Sequence, residues 1–261
     1  MDVWGIDQNP QGAFQVVQAN FLDRVETGNA FQEIGHCDSV IHLAALSTGA
    51  KPPEGYTLET VNVTITDNIL QSLLHVDQFI YFSSISVYGE DDRRGFVRPD
   101  DILRPASSYG LGKKKCEEMV LAKDFPSTAI CRPTPVYSEK RMRNMQMRAY
   151  LPFTRIKIKI IPNPSYSLCH VSLACQTIVQ IVNENRRGVS IRNLADAVPY
   201  RQEDIAGRFP GYAWPVFTFL FWPFYGVLKW IPGKSAYGLR CKYRKLFTSC
   251  LYNTEVFEMP Q

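Results

Sequence analysis

The chain has 261 residues, of which 45% are hydrophobic, and it carries a formal net charge of +4 at pH 7. This length and apolar content suit one large α/β domain with a small lobe, and so mild a charge does not favour a nucleic-acid-binding protein. Seven scattered cysteines without a C-x-x-C pair argue against a disulfide framework or a metal site, and they favour reduced thiols in the cytoplasm.

Strand-like and helix-like segments alternate along the first 200 residues. Short apolar runs predict strands at 3–7, 13–19, 39–45, 79–82, 128–132 and 189–194. Apolar residues at helical spacing predict helices at 23–34, 57–74, 109–123 and 171–183. Because strands that alternate with helices form parallel sheets covered on both faces, the sequence predicts a doubly wound α/β fold.

The regular alternation ends near residue 136, and the last third of the chain has an unusual composition. Residues 205–254 contain no Asp or Glu, and within them the apolar, Trp-rich stretch 214–231 precedes a basic cluster that ends at Lys245. One interpretation, which we favour, is that these aromatic residues pack the small lobe and roof a substrate pocket. The other is a peripheral membrane contact through 214–245.

Ser84, Tyr109 and Lys113 form the most informative pattern. Tyr109 and Lys113 are four residues apart and share one face of the predicted helix, so the ammonium is expected to lower the pKa of the phenol. Ser84 follows the predicted strand 79–82 at its carboxyl end, where open parallel sheets bind ligands. A Tyr-x-x-x-Lys pair alone is weak evidence, but with the Ser it suits proton transfer that accompanies hydride transfer.

With these motifs in this order, the sequence from residue 3 to about 200 resembles the extended short-chain dehydrogenases/reductases, the NAD-dependent epimerase/dehydratase family. The resemblance implies a Rossmann-like sheet with a small C-terminal substrate lobe. It assigns 1–138 and 165–200 to the core, and 139–164 and 201–261 to the lobe. It implies that Tyr109 is the general acid/base, that Lys113 lowers its pKa and holds the nicotinamide ribose, and that Ser84 orients the substrate oxygen.

The resemblance also implies NAD as the cofactor. The residues expected to bind it are Asp7, Asn20, Phe21, Leu43, Ala44, Ala45, Asn62 and Pro133, together with Tyr109 and Lys113. Asp7 favours NAD over NADP, because a carboxylate accepts a hydrogen bond from the ribose 2′-hydroxyl and repels a 2′-phosphate. Asn20 stands where the family usually has Asp.

The family's first strand and its Gly-rich turn have no counterpart in the sequence, which contains no G-x-x-G-x-x-G. That turn brings backbone N–H groups to the cofactor pyrophosphate, and its strand is central in the sheet, so NAD binding is in doubt. We expect the chain to be an N-terminally truncated fragment, because Asp7 and the three catalytic positions remain intact. The alternatives are a variant that has lost cofactor binding and a chain that borrows a strand from a partner.

Many family members act on nucleotide-diphosphate sugars. Dehydratases usually carry Asp-Glu where this chain has Ser86 and Val87, so the sequence predicts an epimerase or oxidoreductase. Arg143 and Asn144 are the candidate substrate contacts, within a basic stretch that could equally be a solvated loop. The alternatives are a hydroxysteroid-dehydrogenase-like enzyme acting on an apolar, membrane-associated substrate and a cofactor-free Rossmann-like binding module. We expect a homodimer formed through the helices 57–74 and 109–123.

Overall fold

The computed structural model describes residues 2–10, 15–89, 95–184, 186–220, 222–230 and 234–259. The strands are β1 Trp4–Asp7, β2 Gln15–Gln18, β3 Ser39–His42, β4 Gln78–Phe82, β5 Phe96–Val97, β6 Ser127–Pro133, β7 Val136–Tyr137, β8 Ile158–Ile161, β9 Ser165–Tyr166, β10 Cys169–His170, β11 Gly188–Leu194, β12 Tyr200–Arg201, β13 Trp214–Phe217, β14 Leu251–Tyr252 and β15 Val256–Glu258. The helices are α1 Arg24–Ile34, α2 Leu58–Ser72, α3 Ser108–Leu121, α4 Arg143–Ala149, α5 Val171–Glu184, α6 Gln202–Gly207, α7 Trp222–Trp230 and α8 Lys234–Phe247, with short 3₁₀ turns at Ile85–Tyr88 and Thr218–Leu220.

The strands and helices predicted for the first 200 residues are confirmed to within a few residues at each end, except that residues 13 and 14 lie outside the described part of the chain. The helix starts follow their capping residues. Asp23 accepts hydrogen bonds from the first backbone N–H groups of α1, and Thr57 forms a capping box with Thr60 at the start of α2.

The main sheet has the strand order β15-β11-β6-β4-β3. Its strands run parallel except β15, which pairs antiparallel with β11. Residues 256–258, which lie in the range that the sequence assigns to the small lobe, therefore form an edge strand of the core sheet. The α/β class with a parallel sheet is confirmed.

The sheet is divided where the sequence predicts a missing strand. β1 and β2 form a separate parallel pair, and β3 is the last strand of the main sheet. In a Rossmann fold the first strand lies between the counterparts of β1 and β3. Large apolar side chains at this division are exposed, with Trp4 at 43% and Leu43 at 57% of their full accessible surface.

Successive side chains of β4 point to opposite faces of the sheet and so belong to two different hydrophobic cores. Phe79 and Tyr81 face the layer formed by α2 and α3, where Val61 and Cys116 are buried with them. Ile80 faces the opposite side and packs in the cluster that includes Ala174 and Ile181 of α5. The strand that precedes Ser84 is thus fixed from both faces, which holds its carboxyl end in place.

Gly112 lets α3 approach α2 closely. A Cβ atom at Gly112 would lie 2.9 Å from the Cα atom and 3.1 Å from the carbonyl oxygen of Glu59. Backbone atoms cannot move aside as the end of a flexible side chain can, so the two helices would have to separate.

We predict that Gly112→Ala lowers the free energy of unfolding by about 1–3 kcal/mol, although Ala is the better helix former. Gly28→Ala in α1 is the matched control. The nearest heavy atom to its added Cβ is the Ser72 hydroxyl at 3.9 Å, so this change should raise stability by about 0.5–1 kcal/mol. Urea unfolding measures the change in the free energy of unfolding for both variants. Equal changes for Gly112→Ala and Gly28→Ala would contradict the close contact between α2 and α3.

The small lobe has its own apolar cores. One surrounds Met145, Tyr166 and Ile205, and another contains Ile158, Ile160 and Leu246. β8 pairs in parallel with β13 and forms a two-stranded ribbon with it. Within the described ranges, none of the helices combines the length and apolarity needed to cross a membrane.

Candidate functional site

Ser84 and Tyr109 meet at the carboxyl end of β4. Ser84 begins the 3₁₀ turn Ile85–Tyr88, where its hydroxyl accepts the Ser86 backbone N–H at 3.1 Å, and Tyr109 lies in the first turn of α3. Gly110 makes the approach of α3 to this turn possible, because a Cβ atom there would lie 2.6 Å from the Ser86 carbonyl oxygen. The Ser84 side chain lies close enough to Tyr109 to lower the pKa of its phenol, so the structure brings two of the three predicted catalytic residues together.

Lys113 lies one turn further along α3 and is buried, with 3% of its surface exposed. Its ammonium donates a hydrogen bond to the Phe82 carbonyl at 2.8 Å and sits 4.8 Å from the centre of the Tyr81 ring. Burial lowers the pKa of Lys113 to about 8, while Cys116 and Glu117 act in the opposite direction. The structure therefore places a partly desolvated cation directly under the end of β4.

The predicted lowering of the Tyr109 pKa by Lys113 stays a prediction, because in this structure other groups set the direction of the shift. Burial raises the pKa of Tyr109 above its ordinary value, and the opposing influence is the hydrogen bond to Ser84. The Lys113 ammonium donates its hydrogen bond to the Phe82 carbonyl, and it is not among the influences that shift the pKa of Tyr109 here.

His42 completes the buried surroundings of Lys113. Its Nε2 lies 2.9 Å from the Thr66 hydroxyl oxygen, and burial, with the nearby Lys113 charge, lowers the pKa of His42 to about 3. The imidazole is thus neutral at physiological pH. A neutral neighbour lets the Lys113 ammonium stay inside the protein without a second positive charge beside it.

The lowered pKa of Lys113 predicts a pH dependence of stability. Its pKa is about 8 in the folded protein against the 10.5 of an ordinary lysine, which applies in the unfolded chain. Unfolding therefore takes up a proton between these pH values, and the free energy of unfolding rises with pH there. The free energy of unfolding of the wild type, measured relative to that of Lys113→Met, should rise by about 3 kcal/mol across this pH range. Lys114→Met is the control on the outer side of α3, and its free energy of unfolding should differ from that of the wild type by the same amount at every pH in this range. Urea unfolding from pH 8 to 10.5 tests this, and a constant difference for Lys113→Met would contradict the lowered pKa.

Asn62 fixes the loop that follows β3. Its side chain is buried, accepts the Leu46 backbone N–H at 2.7 Å and donates to the Leu46 carbonyl at 3.1 Å. The loop segment before Leu46 has Ala44 half-buried, while Leu43 and Ala45 are exposed. The predicted cofactor residues of this loop therefore line the same sheet edge as Ser84, held there by a two-point hydrogen bond.

Asp7 and Asn20 lie at the ends of the β1–β2 pair. Asp7 is the exposed last residue of β1, and its Oδ1 accepts the Asn9 backbone N–H at 2.7 Å. Asn20 accepts the Leu22 backbone N–H at 3.1 Å through Oδ1. Phe21 is half-buried against the core beside α2, where its carbonyl accepts a hydrogen bond from Asn68.

A cavity of about 450 Å³ opens beside these residues. Gln8, Gln18, Asn20 and Asn29 supply much of its polar lining, and its charged lining residues are Glu26 and Glu33. Such a cavity offers hydrogen-bond partners to a neutral polar group and repels an anion.

The predicted substrate contacts separate into two kinds. Arg143 is the exposed first residue of α4, whereas Asn144 anchors that helix by donating to the Val136 carbonyl at 2.5 Å. Arg148 is buried, with its guanidinium 5.1 Å from the centre of the Tyr166 ring. The interpretation of this stretch as a solvated loop is wrong for 143–149. Pro133 is half-buried at the end of β6 beside Leu194.

One buried network at the site is absent from the sequence prediction. The Arg132 guanidinium makes a two-point ion pair with Glu117, at 2.9 and 2.7 Å, and donates to the Tyr88 hydroxyl at 2.8 Å. Tyr88 in turn donates to Asn193 Oδ1 at 2.6 Å. The network ties the helix of Tyr109 to β6 and β11. The sequence did contain two signs of this buried ion pair, because Arg132 lies inside a predicted buried strand and Glu117 lies one helical turn after Lys113.

A second cluster joins the core to the small lobe. The Tyr137 hydroxyl hydrogen-bonds to Asp196 at 2.8 Å and to the Tyr200 hydroxyl at 2.6 Å, and the other oxygen of Asp196 accepts the His170 backbone N–H at 2.9 Å. In the parts of the chain that the structure describes, no group of three or more His, Cys, Asp or Glu residues could hold a metal ion.

A family model described as the NAD dependent epimerase/dehydratase family matches residues 1–193. An ADP-L-glycero-D-manno-heptose-6-epimerase from Cupriavidus pinatubonensis (strain JMP 134 / LMG 1197) is 35% identical over 95 residues, which are 36% of this chain. The match spans only 27% of that relative's length.

Two solved structures share the fold. One is UDP-glucuronic acid 4-epimerase from Bacillus cereus in complex with NAD, with a TM-score of 0.61 and 21% identity, covering 78% of this chain and 69% of that chain. The other is the Bordetella bronchiseptica enzyme WbmG in complex with NAD and UDP, with a TM-score of 0.65 and 15% identity, covering 97% of this chain and 77% of that chain.

Proposed function

Because the chain belongs to the NAD-dependent epimerase/dehydratase family, we propose that it is an NAD-dependent enzyme that epimerises or oxidises a nucleotide-diphosphate sugar. The observation that carries the proposal is the placement of Ser84 and Tyr109 together at the carboxyl end of β4, with the buried Lys113 ammonium donating a hydrogen bond to the Phe82 carbonyl. Two hydroxyls and a cation at the ligand-binding edge of a parallel sheet suit proton transfer at a substrate oxygen.

The residues on both sides of the sheet division fit NAD in part. Tyr109 and Lys113 would face the nicotinamide ribose, and Leu43, Ala44 and Ala45 would lie against the cofactor along the loop that Asn62 holds. Asp7 would accept from the adenosine ribose, and the polar cavity with Glu26 and Glu33 favours a ribose hydroxyl over a 2′-phosphate. Residues 1–261 contain no Gly-rich turn for the pyrophosphate, which makes NAD affinity the property to measure first.

NAD, when bound, would accept and return a hydride at a carbon atom of the substrate. The protein's own residues would manage the proton. As the phenolate, Tyr109 would take the proton of the substrate hydroxyl while the hydride leaves, and as the phenol it would return that proton to the carbonyl oxygen when the hydride comes back. Burial raises the pKa of Tyr109, so the protonated form that serves the return step predominates at neutral pH. Ser84, placed beside Tyr109, would hold that oxygen in place.

Two observations support a nucleotide sugar as the substrate. The fold is shared with a UDP-glucuronic acid 4-epimerase and with an enzyme solved with UDP, and the relative matched by sequence is named for an ADP-sugar. Arg143 is exposed at the start of α4, where its guanidinium can reach a diphosphate. Ser86 and Val87, in place of Asp-Glu, favour epimerisation over dehydration.

Incubation of the chain with NAD and either UDP-glucuronic acid, UDP-glucose or ADP-heptose, followed by NMR of the products, tests this proposal. We expect an epimer or an oxidised sugar from at least one of them. Arg143→Ala should raise KM about tenfold with little change in kcat, as expected for loss of a diphosphate contact. Arg187→Ala, another exposed arginine, should leave KM unchanged. Unchanged sugar nucleotides in the presence of bound NAD would contradict the proposed substrate class.

The division of the sheet supports a second candidate function, a cofactor-free Rossmann-like binding module. β1 and β3 lie in separate sheets at the place where the pyrophosphate-binding strand of the family belongs. A folded chain that binds a UDP-sugar without binding NAD would favour this module over the enzyme. The hydroxysteroid-dehydrogenase-like alternative would be favoured by turnover of a sterol and not of a sugar nucleotide.

We also propose that the protein is a cytoplasmic homodimer formed through α2 and α3. The two helices pack side by side and are joined at their surface by the 2.5 Å ion pair of Lys115 with Glu59. Light scattering after size-exclusion chromatography tests the dimer, and a monomeric mass at all concentrations would contradict it.

A further inference from the structure

The small lobe presents a row of exposed apolar side chains. They lie on β13, the 3₁₀ turn Thr218–Leu220 and α7, and we call them the aromatic surface: Trp214, Phe217, Phe219, Leu220, Val227 and Trp230. Trp230 has 89% of its accessible surface exposed, Phe219 66% and Trp214 61%. Apolar residues exposed singly are ordinary on a protein surface, but a contiguous group of this size marks a binding surface.

Local contacts make these side chains one surface. The Phe217 and Phe219 rings are 5.8 Å apart, and Trp214 packs edge-to-face on Tyr212 at 5.6 Å. The turn that carries Phe219 contacts α7, and α7 packs against α8. Phe153, 82% exposed in a left-handed conformation with φ of 66°, adjoins α8 because Lys242 Nζ lies 4.5 Å from its ring centre.

The aromatic surface is not the core of the lobe. The core beneath it is closed by Ile158, Ile160 and Leu246, all at least 98% buried, with Val216 and Phe247 packed against them. Val216 of β13 is half-buried against this core, whereas Trp214 and Phe217 of the same strand are exposed. The favoured interpretation from sequence is that these aromatic residues pack the small lobe and roof a substrate pocket. The packing part is wrong for the exposed members of the group, and the roofing of a pocket stays a prediction.

The charge around the aromatic surface is one-sided. No Asp or Glu occurs from residue 205 to residue 254. Lys242, Arg155 and Arg208 are exposed nearby, and Lys159 forms an ion pair with Glu203 at 2.5 Å. Exposed indole and phenyl rings with cations beside them match the boundary between lipid headgroups and acyl chains, where Trp partitions and Lys or Arg meets anionic lipid.

We propose that the small lobe binds the surface of an anionic membrane through the aromatic surface and Lys242. With nine residues, α7 is about 13 Å long, whereas the hydrocarbon core of a bilayer is about 30 Å thick. The proposed contact is therefore with the membrane surface. A second copy of this chain fits less well, because like-charged basic groups would be brought together in a symmetric contact.

Co-sedimentation of the full chain with vesicles of phosphatidylcholine, with or without phosphatidylglycerol, tests this. We expect binding that requires phosphatidylglycerol and weakens between low salt and about 0.15 M salt. The triple change Trp214→Ser, Phe219→Ser and Trp230→Ser should lower the partition coefficient at least about tenfold. The matched control replaces three equally exposed apolar residues elsewhere, Leu74, Ile102 and Val198, by Ser, and should bind as the wild type does.

The charge contribution is tested separately. Lys242→Glu should lower binding to the anionic vesicles about tenfold, whereas Arg24→Glu, the same change of charge on α1, should not. Thermal unfolding of each variant shows whether it is folded. The proposal is overturned if the folded wild type stays in the supernatant with anionic vesicles at low salt. It is also overturned if the triple variant binds vesicles normally, or if its only change is from dimer to monomer.

Discussion

Tyr109→Phe is expected to lower kcat by about 10²–10⁴-fold while leaving NAD affinity and the free energy of unfolding almost unchanged. Among the residues that the structure describes at the end of β4, the Tyr109 phenol is the best placed to exchange a proton with a substrate oxygen, since Ser84 lies beside it and the Lys113 ammonium donates to the Phe82 carbonyl. A Phe fits the same space and keeps the ring. The loss should therefore appear in the chemical step alone.

The controls for this variant separate chemistry from packing. Tyr212→Phe removes a phenol that is 74% exposed in the lobe and should leave kcat unchanged. Ser84→Ala should reduce kcat less than Tyr109→Phe and should raise the pKa of Tyr109 further, because the Ser84 hydrogen bond is the influence that lowers it. Product analysis over a pH series measures both effects. Turnover by Tyr109→Phe at the wild-type rate would remove Tyr109 from the mechanism.

Glu117→Gln is expected to lower the free energy of unfolding by about 3–5 kcal/mol, the largest stability effect that the structure predicts. Glu117 and Arg132 are each only 3% exposed, and the amide would leave the guanidinium buried without its counter-charge. The change should also lower the pKa of Lys113 further, because the Glu117 charge helps to hold it up. The same helix carries Tyr109, so loss of the pair would loosen the site as well.

Glu118→Gln is the matched control for Glu117→Gln. Glu118 is the next residue of α3 and pairs with Lys114 at 2.5 Å, but its side chain is 57% exposed, so its loss should change stability by less than about 0.5 kcal/mol. The double change Glu117→Gln and Arg132→Met should be less destabilising than Glu117→Gln alone. Urea unfolding measures all three. Equal effects of Glu117→Gln and Glu118→Gln would show that the buried pair contributes little.

The core of the fold could be predicted because its determinants are local. The apolar run at 79–82 specifies a buried strand by itself, and Leu58, Val61, Ile65 and Ile69 repeat at helical spacing in α2. The position of Ser84 relative to Tyr109 followed from this order, since the carboxyl ends of parallel strands share one edge of the sheet.

What the sequence did not predict depends on three-dimensional surroundings. The pKa of Tyr109 is raised by burial, and the Lys113 ammonium donates a hydrogen bond to the Phe82 carbonyl; neither the burial nor this bond is visible in a Tyr-x-x-x-Lys spacing. The role of Arg148 was likewise hidden, because its burial against Tyr166 results from the packing of α4. The aromatic stretch at 214–230 has no periodicity that separates a lobe core from an exposed surface.

Calorimetric titration of the folded chain with NAD shows whether the chain can act as an NAD-dependent enzyme, because the proposed chemistry requires the cofactor to occupy the edge of the sheet beside Tyr109. We expect saturable binding of NAD at one site per chain and weaker binding of NADP. In Asp7→Asn, which removes the carboxylate at the end of β1, the affinities for NAD and NADP should differ less. A folded chain that gives no binding heat with NAD and no change in thermal unfolding when NAD is present would contradict it.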